Sequence, residues 1–135
     1  MNYIKVTLVT GLPGSGKTTL AKEMYKGQSE RERRRCNLIS LDDCKDRDLE
    51  EFVKIRTRYV DDYDHFIMEG LMLTNDTILK VLNGLKSHLS KNDKVDVTIH
   101  YFNEDRETCL YNDIGRRTQD ARITIKHAKY EVPDS

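Results

Sequence analysis

The chain has 135 residues, of which 34% are charged and 37% are hydrophobic, and its formal net charge is zero. This length predicts one domain over residues 1–132 with a frayed tail at 133–135. No window approaches the roughly 18 apolar residues of a membrane span, and a neutral chain is not expected to coat nucleic acid by charge alone. A strand is predicted at the very start, so we expect no signal peptide. The cysteines, Cys36, Cys44 and Cys109, lack a CxxC spacing and suit free thiols in a reducing cytoplasm.

Four short apolar segments predict β-strands, and segments with helical spacing alternate with them. The predicted strands are Tyr3–Val9, Cys36–Leu41, His65–Glu69 and Val95–Phe102, and the predicted helices cover 19–25, 49–60, 78–89 and 105–116. Such alternation predicts an α/β domain of three layers, with a parallel sheet of about four to five strands and helices on both faces. In such sheets the active site lies at the carboxyl ends of the strands.

The segment from Gly11 to Thr18, GLPGSGKT, matches the P-loop pattern of a glycine, four free positions and Gly-Lys-Ser/Thr. It joins the first predicted strand to the first predicted helix, which is the context that the motif requires. Its backbone N–H groups would surround a phosphate, Lys17 would reach the β- and γ-phosphates of ATP, and Thr18 would hold Mg²⁺. The predicted ATP-contacting residues here are Gly11, Pro13, Gly14, Ser15, Gly16, Lys17, Thr18 and Thr19.

Two aspartates follow the second predicted strand. Phosphoryl transfer needs an acceptor for the proton of the attacking hydroxyl, and a carboxylate near the γ-phosphate can take that role. We therefore identify Asp42 as the candidate catalytic base and Lys45, one turn later, as a candidate for holding a phosphate of the acceptor. The alternative is that Asp42 and Asp43 are helix caps, a position that aspartate favours.

An acidic residue, Glu69, ends the third predicted strand after three consecutive apolar residues. This is the usual position of a carboxylate that organises Mg²⁺, so we predict Glu69 as a metal ligand with Thr18 and as part of the substrate site. Gly70 would let the chain turn away beside a ligand. The alternative is a polar strand end that faces solvent.

Three arginines follow the fourth predicted strand and its helix: Arg116, Arg117 and Arg122. Arginine grips phosphate bidentately and keeps its charge, so these residues are predicted to form a mobile lid that binds ATP. The alternative is a solvated helix end, where cations interact favourably with the helix dipole.

Residues 30–35, with the sequence ERERRR, form a run of mixed charge. The run predicts either a docking site for an acidic polymer or, the interpretation that we favour, a solvated helix end. The four histidines share no spacing typical of metal ligands.

These motifs resemble those of the P-loop kinases in the polynucleotide 5′-hydroxyl kinase and zeta-toxin group, from Tyr3 to about Val132. The P-loop, Asp42-Asp43, the acid at the end of the third strand, and the run from Tyr101-Phe102 to Arg116-Arg117 carry the resemblance. It implies that Lys17 and Thr18 bind ATP and Mg²⁺. It also implies that Asp42 activates the acceptor hydroxyl and that Arg116 meets the transferred phosphoryl group as a catalytic residue.

Two residues depart from the polynucleotide kinase pattern. Lys45 stands where that family has an arginine for the acceptor phosphate, which keeps the charge and loses the planar fork. Glu69 stands where those kinases have an aspartate, and Ile67-Met68-Glu69-Gly70 is more similar to the zeta-toxin and antibiotic-phosphotransferase branch. The departures bear on the substrate and not on the reaction.

The sequence thus predicts a P-loop enzyme, nucleotide kinase-like in fold, that uses Mg²⁺ to transfer the γ-phosphate of ATP to a hydroxyl. The first expected acceptor is the 5′-hydroxyl of a nucleic-acid end or nucleotide. The second is a small molecule, as in zeta-like kinases. A third hypothesis is a non-catalytic, nucleotide-dependent switch or partner-binding module. No motif that reads the base separates ATP from GTP.

Overall fold

The computed structural model describes residues 3–11, 16–71, 75–101 and 121–127, which form strands and helices in alternation. The strands are β1 Tyr3–Gly11, β2 Cys36–Ser40, β3 His65–Leu71, β4 Lys94–Tyr101 and β5 Ala121–His127. The helices are α1 Lys17–Lys26, α2 Glu30–Arg34, α3 Leu49–Arg56 and α4 Asn75–Lys86. A 3₁₀ turn over Leu41–Cys44, here called the strand-end turn, follows β2.

The strands form one sheet in the order β2-β3-β1-β4-β5, and every neighbouring pair is parallel. The expected α/β class with a parallel sheet is therefore confirmed. β1 lies at the centre, where Val9 stands opposite Glu69 of β3 and His100 of β4. Because all the strands run the same way, their C-terminal ends share one edge, the carboxyl edge, and their N-terminal ends share the amino edge.

One face of the sheet packs against α3 and α4. The even-numbered side chains of β1, Ile4, Val6 and Leu8, point to this face and are at most 1% exposed. They join a large apolar cluster that also contains Phe52, Val53, Phe66, Met68, Ile78, Val81, Leu82, Leu85, Val95, Val97 and Ile99. A Cβ on Gly84 of α4 would lie 2.7 Å from the carbonyl oxygen of Glu50, so this glycine lets the two helix backbones approach closely.

The other face packs against α1, which contacts β1, β2 and β3. Its apolar cluster is smaller and contains Val9, Ala21, Cys36 and Ile67. The chain enters α1 through Gly16, whose φ of 95° is a left-handed conformation that glycine adopts without steric strain. The direction of the chain into α1 therefore depends on a glycine at this position.

Several helix boundaries differ from the predicted ones. The helix predicted over 49–60 ends at Arg56, because the backbone of the C-cap residue Thr57 leaves the helical conformation, with φ −107° and ψ 13°. The backbone N–H of Thr57 and its hydroxyl both donate to the carbonyl of Val53. Asp48, and not Asp42 or Asp43, is the N-cap of α3. The helix predicted over 105–116 lies outside the described residues.

The charge run at 30–35 lies in α2 and in the residue after it, with its side chains largely exposed. Ser29 and Glu32 form a reciprocal capping box at the start of this helix, which explains why so short a segment is helical. Within the described segments, no helix combines the length and the apolar character that crossing a membrane requires.

Candidate active site

A buried lysine joins three elements at the carboxyl edge. Lys17 is the first residue of α1, and its side chain is only 10% exposed. Its Nζ donates to Oε2 of Glu69 on β3 at 3.1 Å and to Oδ2 of Asp42 in the strand-end turn at 3.2 Å. The Glu69 side chain is 8% exposed and the Asp42 side chain is 40% exposed. The structure thus brings together the predicted phosphate-binding lysine, Lys17, the candidate base, Asp42, and the predicted metal ligand, Glu69.

The fold explains this convergence. Alternate residues of a strand point to the same face, so Glu69 lies on the face of Ile67, which packs beneath α1. Because β3 is paired with β1 in parallel register, Glu69 reaches the level at which the chain leaves β1 for α1. Asp42 reaches the same place because the strand-end turn begins as soon as β2 ends.

The two carboxylates determine the charge state of Lys17. Burial lowers the pKa of its ammonium group, but the hydrogen bonds from Glu69 and Asp42 and their negative charges outweigh burial and raise the pKa above its usual value. Lys17 is therefore a cation at neutral pH. A buried cation that is already anchored on one side can meet an incoming anion with little reorganisation.

Oxygen atoms that could act as ligands of a magnesium ion lie beside this lysine. The hydroxyl of Thr18 donates to Oε2 of Glu69 at 3.3 Å, so the two oxygens are close enough to bind the same metal ion. Magnesium binds oxygen and commonly uses one or two protein ligands together with phosphate and water. The pair fits that chemistry. Among the residues that the structure describes, no three His, Cys, Asp or Glu side chains group as a metal site of their own.

Beyond Asp42, the strand-end turn opens on a cleft of about 190 Å³, lined in part by Lys45, Arg47, Gly70 and Thr77. Lys45 has φ 51° and ψ −122°, a backbone conformation that is strained for a residue with a Cβ. Such strain costs roughly 1–3 kcal/mol and tends to occur at functional sites. Lys45 and Asp42, the candidate base, line the same cleft.

Arg47 is a cleft residue that the sequence reasoning missed. Its Nη2 donates to the carbonyl of Asp43 at 3.0 Å, and its Nε donates to the carbonyl of Cys44 at 3.4 Å. The guanidinium carbon lies 5.3 Å from the ring centroid of Phe52, which adds a cation–π contact. These contacts hold the arginine in place before any ligand arrives. Its position just past a strand-end turn was the available signal, since the same argument identified Lys45.

The remaining predicted residues fall into three groups. Gly11 ends β1 and is buried, and Gly16 and Thr19 lie at the start of α1. Arg122 is a correction, because it lies in β5 opposite Asp96 and near the amino edge, about 20 Å along the sheet from Gly11. A strand residue at that edge cannot belong to a lid over the carboxyl edge. Pro13, Gly14, Ser15, Arg116 and Arg117 lie outside the described residues.

Comparisons with known proteins bear on the fold alone. No family model matches the chain, and no curated protein matches it. This chain is similar to a solved structure described as "Crystal structure of APE1195", with a TM-score of 0.52 and 16% sequence identity. The match covers 87% of this chain and 67% of the chain in that structure. At that identity the likeness supports an α/β fold and carries no information about activity.

Proposed function

We propose that this protein is a P-loop kinase that transfers the γ-phosphate of ATP to a hydroxyl group, with the 5′-hydroxyl of a polynucleotide or nucleotide as the first acceptor. The observation that carries the proposal is the position of Lys17. The lysine directly follows a glycine-rich GLPGSG segment and lies between a buried glutamate and a partly exposed aspartate. A phosphate-binding lysine with a metal carboxylate and a base would have this arrangement.

The topology supports the same conclusion. β1 is followed by α1 on one face of the sheet, whereas β3 is followed by α4 on the other face. Neighbouring strands whose connections leave in opposite directions create a crevice at their carboxyl ends, and ligands of open α/β sheets bind there. Lys17, Asp42 and Glu69 lie at this crevice between β1 and β3.

The residues would divide the reaction as follows. Lys17 binds oxygens of the β- and γ-phosphates, exchanging its contact with Asp42 for contacts with the nucleotide. The acceptor oxygen then forms a bond to the γ-phosphorus while the bond from that phosphorus to the bridging oxygen breaks, and ADP leaves. Asp42, released from Lys17, accepts the proton of the acceptor hydroxyl.

Thr18 and Glu69 are the residues that would hold Mg²⁺. When bound, the ion would neutralise negative charge on the transferring phosphoryl group. Glu69 also anchors Lys17, so the same carboxylate would set the distance between the metal site and the phosphate-binding lysine.

The cleft beyond Asp42 favours an acceptor that is itself an anion. Lys45 and Arg47 place two cations within one small cleft beside the candidate base, and arginine and lysine both bind phosphate. A nucleotide or a nucleic-acid end offers a phosphate close to a hydroxyl. A neutral small molecule would offer neither cation an anionic group, which makes the small-molecule kinase the second candidate.

The test is transfer of label from γ-labelled ATP with Mg²⁺ to two acceptors in parallel. One is a 5′-hydroxyl oligonucleotide, and the other is a pool of nucleosides, nucleotides and nucleotide sugars. We expect label on the oligonucleotide and on nucleotides that carry a phosphate near the hydroxyl. Label confined to neutral molecules would contradict the anionic acceptor. ATP binding without label in either acceptor would contradict the kinase and favour the nucleotide-dependent switch.

A further inference from the structure

A second polar surface lies at the amino edge of the sheet, far from Lys17. Among the described elements, it covers the part of the sheet face that α1 does not pack against, together with the neighbouring exposed side of α2. We call it the amino-edge surface. Its members on the sheet and along the cleft are Tyr3, Lys5, Arg31, Glu32, Arg35, Asp64, Lys94, Asp96 and Arg122. We include Glu30 and Arg34, an exposed pair on α2 within one turn of Arg31.

The strand register makes this surface continuous. Tyr3 of β1 stands opposite Lys94 of β4, and Lys5 stands opposite Asp96, which in turn stands opposite Arg122 of β5. Neighbouring strands are about 4.8 Å apart, so these side chains form two adjacent rows, one across two strands and one across three. On the side of β3, Tyr3 and Lys5 also line a cleft of about 460 Å³ that reaches Arg31 on α2.

Each carboxylate of the amino-edge surface makes an ion pair or accepts a hydrogen bond. Glu30 pairs with Arg34 at 2.8 Å, and Asp64 pairs with Arg35 at 2.9 Å. Glu32 accepts hydrogen bonds from Ser29 in the capping box of α2. Asp96 accepts a hydrogen bond from the hydroxyl of Tyr3 at 2.7 Å.

Four cations of the surface have no such partner. Lys5, Arg31, Lys94 and Arg122 are exposed, and within the described ranges none of them makes an ion pair or a side-chain hydrogen bond. The six cations and four carboxylates of the surface leave an excess of two positive charges on a chain whose net charge is zero. The excess is thus local, and the four exposed cations can be reached by an anion from solvent.

An aromatic ring stands among these cations. Tyr3 is 58% exposed, and its hydroxyl is tied to Asp96, so the ring is held in place while much of its surface meets solvent. Cations that contact phosphates, combined with an exposed aromatic ring on which a base can stack, are the two elements of single-stranded nucleic-acid binding. An acidic peptide would use the cations and leave the ring without a role.

We propose that the amino-edge surface is a docking site for single-stranded nucleic acid, with Lys5, Arg31, Lys94 and Arg122 contacting phosphates and Tyr3 stacking on a base. The inference rests on the proposed function for the biological identity of the strand, which would be the acceptor polynucleotide. Tyr3 lies about 25 Å along β1 from Gly11, so this surface is separate from the acceptor cleft. It would assign the acceptor to polymers, and it predicts that long strands are preferred over short ones.

The test measures binding of a thymidine oligomer of about 12 nucleotides, a length within the usual range of single-stranded sites, by fluorescence anisotropy over a range of salt concentrations. The variant Lys5→Glu/Arg122→Glu reverses two charges of the surface. Its control, Lys54→Glu/Lys80→Glu, makes the same change at exposed positions of α3 and α4 on the opposite face. All four positions are exposed, and thermal unfolding checks that each variant folds.

We expect the surface variant to bind at least about tenfold more weakly and the salt slope to fall by about 1.4, since each lost phosphate contact on a single strand removes about 0.7. The control should bind like the wild type. Tyr3→Leu should weaken binding about fivefold or more, because stacking on one base contributes about 1 kcal/mol or more.

Equal losses in the surface and control variants would overturn the proposal, and so would absence of oligomer binding by the wild type. Competition by polyglutamate as strong as competition by the oligomer would assign the surface to acidic peptides instead. Failure of the proposed function is a separate result, because transfer of label to a mononucleotide does not need this surface. If the oligomer binds in a way that depends on Lys5 and Arg122 but no acceptor receives label, the docking site would be supported and the proposed kinase activity would be contradicted.

Discussion

The ion pairs at the two edges of the sheet differ in how deeply they are buried. At the carboxyl edge, Lys17 and Glu69 are buried and bonded to each other, with side-chain exposures of 10% and 8%. At the amino edge, Arg35 and Asp64 form an ion pair of similar length with side-chain exposures of 49% and 48%. The chemistry of the two pairs is alike, and their burial differs several-fold. Burial therefore decides what each pair indicates about function.

Energetics explain why the buried pair is the informative one. An exposed ion pair contributes about 0–1 kcal/mol, so it can form and disappear with little consequence for the fold. Burying a charge costs several kcal/mol per ion, and a close partner often only offsets that cost. A pair of apolar residues at positions 17 and 69 would serve stability at least as well. The buried charges are better explained by binding of a ligand than by folding.

Replacing Lys17 with Met gives the largest expected effect and tests this difference directly. Glu69 would keep its burial and lose its cation, so we expect the free energy of unfolding to fall by about 3–5 kcal/mol and nucleotide affinity to fall about 100-fold or more. Arg35→Met, the matched change at the amino edge, should lower the free energy of unfolding by less than about 1 kcal/mol. Denaturant unfolding and calorimetric titration with ATP measure both quantities.

The double variant Lys17→Met/Glu69→Gln separates folding from function. It removes the uncompensated carboxylate, so most of the lost stability should return while nucleotide affinity stays low. Stability that remains low in the double variant, or a single variant as stable as the wild type, would contradict the account of the buried pair.

A smaller effect is expected at His65, where the amino edge has its own half-buried polar group. The amide nitrogen of Gln28 donates to the carbonyl of Met24 and to Sγ of Cys36, so the amide oxygen of Gln28 accepts from Nδ1 of His65. In the neutral imidazole with its proton on Nδ1, Nε2 accepts from the hydroxyl of Thr7 at 2.9 Å. Desolvation by burial lowers the pKa of His65 below its usual value.

The lowered pKa of His65 predicts acid sensitivity. Between the folded pKa and the unfolded pKa of about 6.5, the unfolded chain binds more protons than the folded chain. The stabilising contribution is thus complete above about pH 6.5 and is lost as pH falls below it, with a slope of at most about 1.4 kcal/mol per pH unit. Denaturant unfolding at a series of pH values should show this slope as the pH falls below about 6.5. His65→Asn should flatten it, and the control His88→Asn should retain it.

Local patterns predicted most of the sheet. Four of the five described strands follow from short apolar runs, and their observed bounds differ from the predicted ones by at most two residues at each end. β5 was missed because Arg122 follows two other arginines in sequence and was grouped with them as a lid. Its alternation of isoleucine with polar residues at 122–126 was the available signal.

The sequence identified the residues of the candidate site but not the contacts between them. The P-loop motif identified Lys17, and the ends of the second and third predicted strands identified Asp42 and Glu69. That a single ammonium group bonds both carboxylates depends on the register of β1, β2 and β3, which brings together residues 25 and 52 positions apart. Register across parallel strands is set by packing of the whole sheet, so one sequence cannot reveal it.

In the proposed function, the cluster of Lys17, Glu69 and Asp42 at the carboxyl edge transfers a phosphoryl group with Asp42 as the base. Single-turnover transfer from γ-labelled ATP to a 5′-hydroxyl acceptor, measured for wild type, Asp42→Asn and Asp46→Asn, tests it most directly. Asp46 is an exposed aspartate just past the strand-end turn and serves as the matched control. We expect Asp42→Asn to lower the rate about 10²–10⁴-fold while ATP still binds, and Asp46→Asn to transfer label like the wild type. An unchanged rate in Asp42→Asn would contradict this proposal.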